Sequence, residues 1–280
     1  MNKYQNIVEK IHASPFKLVI VSSGGGTNAI SSLLQVPGAS NTILESYIPY
    51  SKESMNEFLN SKPDKYCSLD TCLSMAANAY KKSRKIDPQS KSKYLLGISI
   101  TANLSTTYEK KGDHKFFIVV QSHEYTKYLE CYLDKGARTR EMEEELITGC
   151  VIYLLSESCG LKSDLPEIPE KIKINQINAE KSWKKLFNNQ VGYISNIKNT
   201  PELIFPGSFN PLHEGHIKMK ELAEKKTGMH TTFEICAKNA DKPPLTFYEI
   251  KRTIDQFKND ESWMLTSAGR FSEKAEMIPN

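Results

Sequence analysis

Two histidines three residues apart close the run Pro206-Gly207-Ser208-Phe209-Asn210-Pro211-Leu212-His213-Glu214-Gly215-His216. An apolar stretch, Leu203-Ile204-Phe205, leads into it, and a charged amphipathic stretch, Ile217 to Lys226, follows. That order predicts a strand, a glycine-rich turn and a helix. His213 and His216 then share one side of the first helical turn, where unpaired N–H groups and the helix dipole favour anions. A phosphate is the natural ligand of such a place. A nucleophilic phosphate that attacks the α-phosphorus of a nucleoside triphosphate must overcome charge repulsion, and catalysis there is positioning plus stabilisation of charge on phosphoryl oxygens. Two imidazoles supply donors for that task. Gly207 and Ser208, at the strand exit, would cradle the anion with backbone amides, and Gly215 would let a phosphate or ribose approach the chain. The competing reading is a plain turn with a solvated histidine pair.

A second strand–turn–helix candidate lies upstream. Phe16 to Val21 is β-branched and apolar, and Ser23-Gly24-Gly25-Gly26-Thr27 follows it. Such a turn can hold an anion. Ser40 ends the string Val36-Pro37-Gly38-Ala39-Ser40. A serine nucleophile needs a neighbouring base; without one, Ser40 is a cap or turn hydroxyl. The acidic run Glu141 to Glu145 suits a helix start and a solvated face. His114 is read as a turn or surface residue, His12 and His230 as residues in polar surroundings, and Trp183 and Trp263 as packing residues.

The elements that must position these groups form an α/β pattern. Helices are expected over Asn28–Gln35, Asp70–Arg84 and Arg140–Cys159, and strands over Tyr94–Ile100 and Lys115–Val120, with a polar loop from Thr101 to Asp113 between the two strands. Later come a charged helix (Ala179–Phe187), short strands (Val191–Ile197, Phe233–Ala237, Trp263–Thr266) and a helix (Tyr248–Phe257). Residues 1–160 read as one domain, 161–201 as a connector with Pro166 and Pro169, and 202–280 as part of a second domain. The chain has 280 residues, 39% hydrophobic and 25% charged, with net charge +4. That balance fits a globular protein with an anionic small-molecule ligand and argues against a nucleic-acid binder. No apolar run has the length of a membrane span. Met1 to Glu9 lacks a signal-peptide core, so a non-secreted protein of the cytoplasm or an organellar matrix is expected. The six cysteines form no CxxC pair and no histidine sits at zinc-finger spacing, so no metal site is expected and the thiols read as structural.

Gly207, Phe209, Pro211, His213, Gly215 and His216 complete the pattern G-x-F-x-P-x-H-x-G-H. In this the chain resembles the H/T-x-G-H nucleotidyltransferases, and within them the nicotinamide or nicotinate mononucleotide adenylyltransferases. The resemblance implies a Rossmann-like sheet, ATP as substrate, Mg²⁺ and pyrophosphate release. It implies that both histidines meet triphosphate oxygens, His216 being tied most directly to transfer. It places Ser208 and Phe209 in the nucleotide-binding turn and makes Lys242, in the polar loop 239–244, a phosphate contact. That family closes its site with a later S-S/T-x-x-R/K motif. Thr266-Ser267-Ala268-Gly269-Arg270 imitates it but comes too early and is read as coincidence. Residues 273–280 read as the approach to a further strand. The second half is thus expected to be an incomplete Rossmann-like nucleotidyltransferase domain, truncated or degenerate.

The strings Val36–Ser40, Tyr50-Ser51 and Gly97-Ile98-Ser99-Ile100-Thr101 resemble the CinA C-terminal domain, from Lys17 to Gly160. Members with amidase activity hydrolyse nicotinamide mononucleotide. The resemblance puts the nucleophile at Ser40 and the base where this chain has Met55. A thioether cannot accept the serine proton, and Thr101-Ala102-Asn103-Leu104 replaces the family's G-x-x-G-P loop. A degenerate amidase is expected, with phosphate binding surviving at Gly24 to Thr27. The leading expectation for the whole chain is adenylyl transfer to a nicotinamide or nicotinate mononucleotide. The alternatives are a non-catalytic nucleotide-binding or scaffold subunit of a larger assembly, and a mononucleotide amidohydrolase. The expected partner is a small-molecule nucleotide, with homo-oligomerisation left open.

Overall fold

The structure is a computed structural model that describes residues 3–108, 110–187, 190–237, 245–258, 260–268 and 270–278. It divides into two compact units, Met1–Asn178 and Ala179–Asn280. The stretch 161–201 is shared between them.

In the first unit the elements run α1 (Gln5–His12), β1 (Lys17–Ser23), α2 (Thr27–Leu34), β2 (Ile43–Tyr47), α3 (Lys52–Leu59), α4 (Leu69–Ile86), β3 (Leu95–Asn103), β4 (His114–Gln121), β5 (Tyr125–Leu133), α5 (Arg140–Ser158) and β6 (Lys173–Asn178). One sheet has the order β2-β1-β3-β4-β5-β6. β1 is parallel to β2 and β3, and the pairings from β3 to β6 are antiparallel. The run Leu18 to Val21 is buried on both faces, as a central parallel strand requires. Leu18 and Ile20 join a core with Ile98, Ile100, Leu33, Ile147 and Leu155, whereas Val19 and Val21 join Met55, Leu59, Met75 and Ala79 on the other face. α4 lies directly on β3. A Cβ at Gly97 would come within 2.2 Å of the Tyr80 backbone nitrogen and 2.4 Å of the Ala76 carbonyl oxygen. β3 also runs on through Thr101 to Asn103, which were expected in a loop; seven registered pairs with β4 hold it extended.

The second unit runs α6 (Lys181–Phe187), β7 (Tyr193–Ser195), β8 (Leu203–Pro206), α7 (Glu214–Thr227), β9 (Thr231–Cys236), α8 (Phe247–Ile254), β10 (Trp263–Thr266) and α9 (Phe271–Met277). Its sheet order is β7-β10-β9-β8, with β8, β9 and β10 parallel and β7 antiparallel. Two consecutive β-α-β units therefore bring the carboxyl ends of three strands to one edge. Phe205, Phe233, Ile235 and Leu265 pack with Ile250 and Phe257 beneath them. Trp183 stacks on Phe247, with centroids 5.9 Å apart. Where residues 273–280 were read as the approach to a further strand, the chain forms α9. Its Glu273 carboxylate accepts the Arg270 backbone N–H, a helix-starting contact. Among the described residues no helix is long and apolar enough to cross a membrane. The chain is a mixed α/β protein.

Candidate functional site

β8 leads the chain out of the sheet at Pro206, and α7 begins eight residues later with His213 at its N-cap. The two imidazoles lie together. Their centroids are 3.6 Å apart and their planes 24° from parallel. His213 is exposed and His216 half-buried. The His213 backbone N–H donates to Nδ1 of His216 at 3.2 Å. Neutral His216 therefore carries its proton on Nε2, leaving a donor on the ring edge away from the backbone. The inner face of the His216 ring rests edge-on against Phe209 (5.1 Å) and Phe205 (6.1 Å). Burial first, and the neighbouring His213 second, hold the His216 pKa below its ordinary value.

Other residues of the motif take different places from those expected. Phe209 is not positioned to meet a nucleotide: it is 1% exposed and packs edge-on to Phe205, Phe233 and Phe257. The Gly207 N–H does not face a ligand either, because it donates to the Glu234 carbonyl and extends the β8–β9 ladder. Gly207 lies under the Phe209 ring, and a Cβ there would come within 2.5 Å of it. A Cβ at Gly215 would meet the His213 ring at 3.1 Å, so this glycine makes room for an imidazole. Ser208 is exposed at the strand exit. Lys242 lies outside the described residues.

Sequence reasoning missed Gln256. Its side chain donates to the Phe209 carbonyl at 2.9 Å and accepts the Leu212 N–H at 2.8 Å. The only sequence signal was its place at the end of a helical stretch.

The upstream glycine turn is built for an anion and already holds one. Gly24 and Gly26 have φ +78° and +91°, and the Gly26 N–H donates to Glu144 Oε2 at 2.7 Å. Arg140 donates to the carbonyls of Gly24 and Ser105. In the acidic run Glu141 and Glu145 are exposed, but Glu143 and Glu144 are buried. Glu143 is fully buried, bonded to the Ser105 N–H (2.6 Å) and to His114 Nδ1 (3.0 Å), and His114 is buried with it. The α5 start reaches inward because the Ser105 and Gly26 amides need acceptors there. His12 is buried too, between Thr42 Oγ1 and the Leu33 carbonyl. Ser40 lies exposed in the short turn Ala39–Asn41, whereas Met55 is packed in the apolar layer formed by α3 and α4. No disulfide forms among the described residues, and burial pushes the Cys72 and Cys150 thiols up to about 12, where they stay protonated.

No family model matches the chain, and no curated protein sequence matches it. Among solved structures, it is similar to a competence-damaged protein (CinA) superfamily protein from Escherichia coli, at 12% identity and TM-score 0.44 over 55% of this chain and 90% of that one. A competence or damage-inducible protein from Enterobacter asburiae is similar at 15% identity and TM-score 0.44, over 57% and 98% of the two chains. The competence/damage inducible protein CihA from Agrobacterium tumefaciens gives 13% identity and TM-score 0.41, over 55% and 94%.

Proposed function

We propose that the second unit binds the phosphates of ATP at the turn before α7 and transfers an adenylyl group to nicotinamide or nicotinate mononucleotide. The observation that carries this reading is the stacked pair His213–His216 at a helix N-terminus, on the edge where three parallel strands end. Ligands of open α/β sheets lie outside the carboxyl ends of the strands. The Nε2–H of His216 and the exposed ring of His213 would donate to triphosphate oxygens. A phosphate oxygen of the mononucleotide forms a bond to the α-phosphorus, the bond from that phosphorus to the bridging oxygen breaks, and pyrophosphate leaves. The imidazoles spread the charge that builds on the departing group. The site's donors are nitrogens, and the described residues contain no cluster of ligating side chains, so they do not fit a resident hard cation. Mg²⁺ fits as a companion of the triphosphate, held by its oxygens. Incubating the full chain with ATP, Mg²⁺ and the mononucleotide should yield a dinucleotide and pyrophosphate. ATP binding without dinucleotide would remove the enzyme reading.

A second reading, a non-catalytic binding or scaffold subunit, draws on the first unit. There Glu144 fills the glycine turn, and Met55 stands buried where a base was needed. That reading expects assembly with partner chains and no turnover, and sizing of native material tests it.

A further inference from the structure

We propose that Gln256 is a positioning residue for the imidazole pair, fixing which nitrogen of His216 faces the phosphates; the inference rests on the nucleotide reading of the turn. Phe209 has φ +44°, a left-handed conformation that a phenylalanine keeps only where its surroundings enforce it. Two contacts enforce it here. The ring is locked among Phe205, Phe233 and Phe257. The carbonyl is turned toward Gln256 Nε2, which donates to it at 2.9 Å. The other end of the same amide, Oε1, accepts the Leu212 N–H at 2.8 Å.

One side chain therefore spans the turn from Phe209 to Leu212. Gln256 itself follows the last turn of α8, where Nε2 also approaches the Thr253 carbonyl at 3.4 Å. The next N–H after that of Leu212 belongs to His213, and it donates to His216 Nδ1. Gln256 thus holds the peptide whose neighbour selects the His216 tautomer. The chemistry calls for an amide. A carboxylate accepts from Leu212 but cannot donate to Phe209, and an alanine does neither.

The test uses the full chain labelled with ¹⁵N-histidine. In the wild type without nucleotide, long-range ¹H–¹⁵N spectra should show His216 with an unprotonated Nδ1 and a protonated Nε2. Gln256→Ala and Gln256→Glu should average the two tautomers. Each should also weaken Mg·ATP binding about 10-fold, the loss of one hydrogen bond to a charged phosphate. Lys251→Ala, at an exposed ion pair on α8, should leave both readouts unchanged. Should Gln256→Ala unfold, Gln256→Glu decides by the same measurements. Variants that keep the wild-type tautomer and ATP affinity would overturn the proposal. A wild type that binds no ATP defeats the nucleotide reading instead, and the ligand-free spectra still judge Gln256.

Discussion

His216 sits where its surroundings oppose charge, between two phenylalanine rings and a second imidazole. Its pKa is lowered from the ordinary 6.5, so the free protein should hold it neutral at pH 7. The unfolded chain takes up this proton at a higher pH than the folded one. As pH falls through the ordinary histidine value, this residue therefore lowers folding stability. A bound triphosphate reverses the local field and should raise the His216 midpoint, so ATP affinity should grow as pH drops from about 8 to about 6. An NMR titration with and without Mg·ATP reads both shifts; a midpoint that ATP leaves in place counts against phosphate contact. His213→Ala should cut dinucleotide formation by about 100-fold with an unchanged melting temperature, since the ring is exposed and its loss removes a donor to developing charge. The motif was legible in sequence as a string, but its division of labour was not. Spacing shows that Gly207, Phe209 and Gly215 recur with the histidines. It cannot show that Gly207 yields to the Phe209 ring and Gly215 to His213, because those contacts depend on side-chain directions. A scan scored on product alone would rank Gly207 beside the imidazoles.

At the level of elements, periodicity revealed what was long or deeply buried. α4, α5 and β1 carry continuous apolar faces and were readable. β2 is half-buried throughout and β6 has exposed positions along most of its length, so neither shows the alternation that marks a strand. β5 carries Lys127 and Glu130 half-buried among its buried positions and was missed for the same reason. The start of α5 misled in the opposite sense, since glutamates in a first helical turn usually face water. Here two of them satisfy backbone amides of separate loops. Glu144→Ala should therefore destabilise the first unit by about 1–3 kcal/mol, because it leaves the buried Gly26 N–H without its acceptor. Urea unfolding of the full chain measures the loss. Phosphate added to this variant should recover part of it by taking the vacated place, and should do nothing for the wild type. By contrast, Ser40→Ala should stay within about 0.5 kcal/mol of the wild type in the same assay, the serine being exposed.

Across the whole molecule, each unit has its own apolar core, and the first unit builds one on each face of its sheet. Ile98→Ala, at a fully buried site in the central strand, should cost about 2–5 kcal/mol, visible as faster amide exchange in β1, β3 and β4. The alternation of strand and helix patterns sufficed to predict layered α/β units, but the division after Asn178 was not legible, because β6 joins the sheet by backbone pairing with little apolar signal of its own. The contact of α4 with Gly97 carries a further consequence. At most helix–sheet seams the spacing is set by side chains and can drift as they change size. Here main chain meets main chain, with no clearance for even a methyl group. That seam has no adjustable spacer, so any drift of this protein toward greater heat tolerance must find its gains elsewhere.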